Sequence, residues 1–175
     1  MELRFAATER TRMNLDLIYN IRPAIEEGLR GWFTAQSINA FTRQNAPENF
    51  ETVRPRVEID AKVGAMTGHK HVTAQGVLYN DTFGFELTVT ATCDPQNTEA
   101  ANVTIDQFVA RIRGMMQTFG QATWTDTANF PNHLIVEPLK DTSTADNLKS
   151  DDNQEWSELT FSGIVQIRTN SWTNT

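Results

Sequence analysis

The residues whose types and spacing best suit metal binding are His69 and His71. Two histidines two positions apart on a strand can ligate one zinc ion together, because imidazole nitrogen is a common zinc ligand. A complete site would also need a third ligand such as His133, and nothing in the sequence brings that residue close. A short histidine motif carries meaning only in a suitable structural context. We therefore predict solvated histidines in a turn, with no metal and no cofactor.

No other motif in the chain assembles a reactive centre. The run Gly64–Gly68 lacks the Gly-Lys-Ser/Thr ending of a phosphate-binding loop, and no helical pattern follows it. Cys93 is the only cysteine, so an internal disulfide is excluded, and no nearby base would activate its thiol. We predict that this thiol is buried and inert. Asp151 and Asp152 lie in a polar stretch that could not hold a catalytic geometry. The sequence thus predicts no catalytic residues and no enzyme.

Composition narrows the class of protein. The chain has 175 residues, 39% of them hydrophobic, which is enough for one globular core. Its 22 acids and 15 bases leave a net charge of −7, whereas wrapping nucleic acid needs clustered lysine and arginine. Its apolar runs are far shorter than the ~20 residues that span a bilayer, and the N-terminus lacks a secretory pattern. We expect one domain over residues 1–175, made in a cytosol and not bound to a membrane.

The middle of the chain predicts an antiparallel sheet with one apolar face. Apolar and polar residues alternate strictly in three runs: Val57–Val63, Val72–Leu78 and Phe83–Cys93. A period of two sends successive side chains to opposite faces of a strand, so one face is buried and the other meets water. Gly64–Lys70 is predicted to be a turn, and Asn80 with Asp81 the tight turn of a hairpin. A further alternating run, Leu159–Ile167, predicts the closing strand.

Two amphipathic helices are predicted to cover one face of this sheet. In residues 1–34, apolar side chains recur at helical spacing, and Pro23 either kinks that helix or begins a second one. The central helix is predicted to begin at Thr104, whose side chain can form a capping box with Gln107 in the first turn. Seven apolar residues then keep helical spacing: Ile105, Phe108, Val109, Ile112, Met115, Met116 and Phe119. Helices combined with antiparallel strands, without a repeated βαβ unit, make the fold class α+β.

Two long loops are predicted, at residues 35–55 and 140–155. Long loops in compact domains are usually functional or bound by a partner. Residues 140–155 hold five acids and almost no apolar anchors, so we expect them to be mobile until a neighbouring subunit orders them. The tryptophans beside the closing strand fit a core and an interface equally well. The candidate interface residues are Trp156, Trp172, Asp146, Asp151, Asp152 and Glu155.

The order of these elements resembles that of the tail terminator proteins of long-tailed bacteriophages. Those chains have an N-terminal helix, a strand, a β-hairpin, a helix packed on the sheet, and a closing strand preceded by a long polar loop. The matching segments here are Leu15–Phe33, Arg56–Val63, His71–Cys93, Thr104–Thr118, Leu134–Val136 and Glu155–Ile167. The segment Asn153–Phe161 is similar to the polar-to-strand ending of that family. Residues 35–55 are longer than the family pattern, which leaves a neck position and a tail position both open.

The resemblance implies a virion structural protein. Members of the family form a homohexameric ring that caps the tail tube, leaves a central DNA channel and meets a connector or stopper ring on the head side. Such a subunit would be assembled in the host cytoplasm and would end in the tail or neck of the virion. An acidic ring suits a channel through which DNA passes without specific binding, because like charges repel the phosphate backbone.

Two other interpretations stay open. A tail tube protein is also β-rich and also forms hexameric rings, but it polymerises into long tubes. A small-ligand-binding or enzymatic α+β domain would instead curve its sheet around a cavity beneath the helix Phe108–Phe119. Nothing in the sequence nominates catalytic residues for such a domain. The mass of the native assembly in solution would separate these classes most directly.

Overall fold

The computed structural model describes residues 20–73, 77–95, 103–119, 133–136, 138–144 and 148–169. Its helices are α1 (Ile21–Ala35) and α2 (Ile105–Phe119), and Phe50–Thr52 forms a short 3₁₀ turn. The strands are β1 (Asn39–Thr42), β2 (Arg56–Thr73), β3 (Val77–Cys93), β4 (His133–Ile135), β5 (Lys140–Asp141), β6 (Leu148–Ser150) and β7 (Glu155–Thr169). They form one sheet in the order β1-β2-β3-β7-β4, and β5 and β6 also pair with β7. The predicted α+β class is confirmed.

The buried side of the sheet follows the predicted alternation. Ile59 lies opposite Val89, and Leu87 lies opposite Phe161, and all four side chains are buried. The other inward residues of these strands are Val57, Ala61, Phe83, Phe85, Ala91, Cys93, Leu159, Val165 and Ile167. Removing this apolar surface from water is the main favourable term in folding. The core therefore lies on one side of the sheet, as the period of two predicts.

Both helices pack side by side on this buried face. Helix α1 contacts β1 and β2, whereas α2 contacts β3 and β7. The helices meet where the rings of Trp32 and Phe119 lie 5.5 Å apart. Pro23 lies in the first turn of α1, where its missing amide hydrogen costs no helical hydrogen bond. Of the two predicted alternatives, a kink or the start of a helix, Pro23 therefore lies at the start of a helix. The earlier part of the predicted N-terminal helix, residues 1–19, lies outside the described residues.

The capping box of α2 forms as predicted. The amide of Gln107 donates to Thr104 Oγ1 at 3.3 Å, and the amide of Thr104 donates to Gln107 Oε1 at 3.4 Å. Phe108, Ile112 and Met116 then follow at intervals of about one turn, and all three are buried. The prediction that residues 104–119 form the helix covering the sheet is confirmed.

The three predicted runs in the middle of the chain are in fact two long strands. β2 continues through Gly64–Lys70, and Asn80 and Asp81 lie within β3. Both turn predictions are therefore wrong. Register shifts between Val63 and Gly68 insert extra residues into β2 without ending its pairing with β3. Such bulges interrupt the period of two, and the sequence pattern alone does not distinguish that interruption from a turn.

Residues 35–55 are not one continuous loop, which corrects a second prediction. β1 lies within this segment and pairs in parallel with β2, from Asn39 opposite Arg56 to Thr42 opposite Ile59. The sheet is therefore mixed and not purely antiparallel. β1 has only four residues, too few to show a clear period in the sequence. It forms because the edge of β2 offers unpaired amides and carbonyls at that position.

Residues 140–155 are also partly ordered within a single chain. Both β5 and β6 pair with β7. The expectation that this segment orders only against a neighbouring subunit is wrong for these residues. Backbone pairing satisfies amides and carbonyls without any apolar side chain, so the polar composition of the segment did not reveal it.

The closing strand β7 needs a glycine at one half-buried position on its core side. Gly163 lies opposite Phe85. A Cβ placed on Gly163 would lie 2.6 Å from Phe85 Cζ and 2.6 Å from Leu139 Cδ2. The Phe85 ring thus occupies the space that a side chain at residue 163 would fill, and the alternation of β7 is preserved around it.

Candidate interaction surface

The face of the sheet opposite the helices, hereafter the outer face, is polar and open. Its central residues come from β2, β3 and β7: Glu58, Asp60, Lys62, Glu86, Thr88, Thr90, Glu158 and Thr160. All of them are half-buried or exposed. The alternation of each strand sends these side chains away from the core. Neither helix packs on this face, although Arg22 of α1 reaches around to pair with Asp60 at 2.6 Å. This face is therefore an open surface on which the described part of the chain could meet a partner.

The two segments that were predicted to be long loops, residues 35–55 and 140–155, meet at one end of the outer face. Arg54 Nη2 donates a hydrogen bond to Gln154 Oε1 at 2.7 Å, although the two residues are 100 positions apart. A shallow groove of about 530 Å³ lies between the segments. Residues of both segments and of the strands beneath line this groove, among them Phe50, Thr90, Asn153 and Trp156. The fold thus joins two segments that the sequence only marks as long and polar.

A cluster of two phenylalanines and one arginine attaches residues 35–55 to the sheet. The Phe50 ring lies 5.6 Å from the Phe41 ring, and the Arg56 guanidinium lies 5.5 Å from the centre of the Phe50 ring. A cation near an aromatic face is attracted by the negative charge of the ring face. Arg56 is only 4% exposed, and its Nη2 pairs with Glu58 at 2.8 Å. Sequence reasoning missed this cluster, whose only signal was two phenylalanines within a polar segment.

Trp156 lies on the outer face and not in the core. Its neighbours across the sheet are Thr92 on β3 and Lys149 on β6. The residue is half-buried and lines the groove of 530 Å³. Two other candidate interface residues, Trp172 and Asp146, lie outside the described residues.

The acidic residues among the candidate interface residues have different surroundings. Asp151 Oδ1 accepts hydrogen bonds from the amides of Asn153 at 2.8 Å and Gln154 at 2.9 Å, which is an Asx turn between β6 and β7. Asp152, at the same turn, is exposed. Glu155 is half-buried on β7, opposite Cys93. Asp151 therefore shapes the turn, while Asp152 presents a carboxylate to solvent.

Glu27 on α1 connects residues 35–55 to the helix through hydrogen bonds. Its carboxylate accepts hydrogen bonds from Thr42 Oγ1 at 2.9 Å, Asn45 Nδ2 at 2.5 Å and Arg30 Nε at 2.7 Å. Burial of this carboxylate acts to raise its pKa. The hydrogen bonds from Arg30, Thr42 and Asn45 together outweigh burial, so the pKa of Glu27 lies below 4.5. The charged form of Glu27 thus stabilises the fold.

We expect Glu27→Gln to lower the free energy of unfolding at pH 7 by about 1 kcal/mol. Because the pKa of Glu27 is lowered by folding, its contribution is complete above pH 4.5 and is lost as pH falls through the lowered value. The difference between wild type and variant should therefore shrink at about pH 3.5. Urea denaturation at both pH values measures it, with the exposed Glu48→Gln as the matched control. An equal difference at the two pH values would contradict this role.

The thiol of Cys93 is buried, as predicted. Burial, followed by the negative charges of Asp94 and Glu155, raises its pKa to about 11. The thiol is thus protonated near neutral pH, and a thiol reacts as a nucleophile mainly in its thiolate form.

The three histidines do not converge. His133 lies opposite Ile167, which lies opposite Asp81, which lies opposite His69. Three strand spacings therefore separate His133 from His69, which is about 14 Å at ~4.8 Å per spacing. Among the residues that the structure describes, no three metal-ligating side chains form a cluster. His69 and His71 lie within β2 rather than in the predicted turn.

Comparisons with known proteins add no relative. No protein-family model matches the chain, and no curated protein matches it significantly. Neither α1 nor α2 has the length and apolar character of a membrane-spanning helix. The function must therefore be inferred from the fold and from the surfaces described above.

Proposed function

We propose that this protein is a non-enzymatic structural subunit of a bacteriophage tail, a terminator or neck ring that caps the tail tube. In this role it joins the tube to the connector or stopper on the head side and leaves a channel for DNA. The order of elements supports the proposal. A helix, strands in a long hairpin, a covering helix and a closing strand follow each other in the described residues.

The observation that carries the proposal is the open edge of β2. β1 pairs with β2 only as far as Ile59, and β2 continues to Thr73 with no other described strand on that side. Among the described contacts of this edge, one side chain satisfies a backbone amide: the carboxylate of Glu26 accepts from the amide of Ala61 at 3.0 Å. The remaining edge is about 40 Å long. Such an edge is either protected or used to pair with another chain, and we infer that a neighbouring subunit uses it.

The charge of the chain supports a role around passing DNA. The net charge of −7 is repeated in every subunit of a ring, and it repels a phosphate backbone. The ring would therefore guide DNA without binding it specifically. In this proposal the subunit is assembled in the host cytoplasm, and its final place is the tail or neck of the virion.

The same features also fit a tail tube protein, since an open edge can serve polymerisation as well as ring closure. A ligand-binding or enzymatic domain is the alternative from another class. Two of the described grooves, of about 530 and 630 Å³, lie on the outer face, whereas the groove described beside α2 is smaller, about 250 Å³. Beneath α2, the side chains of Phe108, Ile112 and Met116 fill the interface with the sheet. These positions favour an interaction surface over a cavity.

The proposal is tested by measuring the native mass of the purified protein and imaging it by electron microscopy, alone and with isolated tail tubes. We expect discrete rings that bind the end of a tube. Long polymers of the protein alone would instead identify a tube protein. A strict monomer that ignores tubes and binds a small molecule beneath α2 would refute the structural role.

A further inference from the structure

Two arginines that line the groove of 530 Å³ differ in how their charge is balanced. Arg56 pairs with one carboxylate: its Nε donates to Glu58 Oε1 at 2.9 Å, and its Nη2 lies 2.8 Å from the same oxygen. Arg54 is half-buried and has no carboxylate partner among the described residues. Its Nη2 donates to the neutral amide oxygen of Gln154 at 2.7 Å, and its buried Nε has no hydrogen-bond partner there. A partly buried charge without a counter-ion costs free energy, which an anionic ligand would recover.

We propose that Arg54 anchors a binding site for a single carboxylate group, carried by a ligand that enters this groove. Nε and Nη2 form one edge of a guanidinium, and their parallel N–H bonds fit the two oxygens of a carboxylate. Glu58 already uses the same pair of atoms on Arg56. In the proposed site, the carboxylate of the ligand replaces the side-chain oxygen of Gln154 on Nη2 and gives Nε its missing acceptor. This binding site goes beyond the proposed ring and does not depend on it.

The fold holds Arg54 in place and leaves the Gln154 side chain free to move. Arg54 Nη1 donates to the backbone carbonyls of Glu51 and Val53, the latter at 3.1 Å, so these two bonds do not use the Nε–Nη2 edge. The turn before β7 is held without the Gln154 side chain. Asp151 Oδ1 accepts from the amide of Gln154 at 2.9 Å, and the amide of Asp151 donates to the carbonyl of Gln154 at 2.9 Å. The Gln154 side chain can therefore move off Arg54 while the turn stays intact.

The other residues that line the groove limit the class of ligand. Phe50 and Trp156 offer ring surface to an apolar group beside the carboxylate. Glu51 and Asp151 also line the groove, and their negative charges oppose a ligand with several acidic groups. The site therefore fits a monocarboxylate that carries an aromatic or apolar group. Such a carboxylate belongs either to a small acid or to the carboxyl end of a peptide.

Benzoate is the probe for a small acid, and benzamide is its neutral isostere. Ligand-observed NMR with the full chain measures the dissociation constant of each. Because benzoate is small, we expect millimolar binding of benzoate, and we expect no binding of benzamide. Arg54→Gln should weaken the binding of benzoate by about tenfold or more, whereas Arg111→Gln, which removes an exposed arginine of α2, should leave it unchanged. Equal binding of benzoate and benzamide, or unchanged binding in Arg54→Gln, would overturn the proposal.

Two substitutions of Gln154 should move the affinity for benzoate in opposite directions. Gln154→Ala removes the oxygen that competes for Nη2, so the dissociation constant should fall by about threefold. Gln154→Glu places a carboxylate of the protein itself on Arg54, so the binding of benzoate should be lost. A general loss of folding would weaken binding in both variants and cannot produce this pattern. Weaker binding in both variants would therefore overturn the role assigned to Gln154 and Arg54.

A peptide probe distinguishes the two sources of the carboxylate. Acetyl-Gly-Gly-Phe with a free carboxylate should bind more tightly than benzoate if the site takes the end of a polypeptide, and more weakly if it takes a small acid. The same peptide with a carboxamide end should not bind in either case. Binding of the carboxamide as tight as that of the acid would overturn the proposal. None of these outcomes depends on ring formation, so a failure here leaves the proposed function standing.

Discussion

Phe108→Ala should lower the free energy of unfolding by about 3–5 kcal/mol, the range for deleting a large buried side chain. Phe108 is 2% exposed and belongs to the single core formed by both helices and the sheet. It lies in the first turn of α2, directly behind the capping box, where α2 packs on β3 and β7. Truncation therefore removes apolar contacts and leaves a cavity that the neighbouring elements fill only in part.

Equilibrium urea denaturation, with the same slope for wild type and variant, measures this loss. Gln117→Ala is the matched control, because Gln117 lies on the exposed side of the same helix. The control should change the free energy of unfolding by less than about 0.5 kcal/mol. A change below about 1 kcal/mol for Phe108→Ala would show that Phe108 is not part of the core.

Glu26→Ala should cost about 2–3 kcal/mol, because it leaves a buried backbone donor without an acceptor. Glu26 Oε1 accepts from the amide of Ala61 at 3.0 Å and from Arg22 Nε at 2.8 Å, and its side chain is 4% exposed. β1 stops opposite Ile59, so this carboxylate replaces the next strand carbonyl along the edge of β2. The substitution thus removes the acceptor just where the ladder of β1 ends.

Two measurements together test the role of Glu26. Urea denaturation gives the loss of stability, and hydrogen exchange followed by NMR should show faster exchange of the Ala61 amide. Glu26→Gln is the matched control, since its amide oxygen can still accept from Ala61 while the negative charge is removed. An unchanged Ala61 exchange rate in Glu26→Ala would contradict the edge-capping role, whatever the change in stability.

Local patterns in the sequence determined much of the fold. The alternation in Phe83–Cys93 predicted a strand with its apolar side buried, and the structure buries that side. The capping box at Thr104 and the apolar spacing behind it predicted the start and the buried face of α2. These features are readable because the interactions that cause them lie within a few residues of one another.

Features that depend on distant partners were decided by the tertiary structure. The bulges in β2 resembled a turn at Gly64–Lys70, because only the continuous pairing with β3 shows that the strand goes on. β5 and β6 lie in a polar segment that appeared unable to order itself, yet the edge of β7 supplies their backbone partners. Strand pairing satisfies backbone groups through partners that are distant in the sequence. The side-chain composition of a segment therefore predicts such pairing poorly.

The candidate interaction surface, too, was predicted only in part from the sequence. The sequence marked Trp156 and the acids of 140–155, together with the length of 35–55, as features of an interface. It could not place them in one groove, because the contact between Arg54 and Gln154 spans 100 positions.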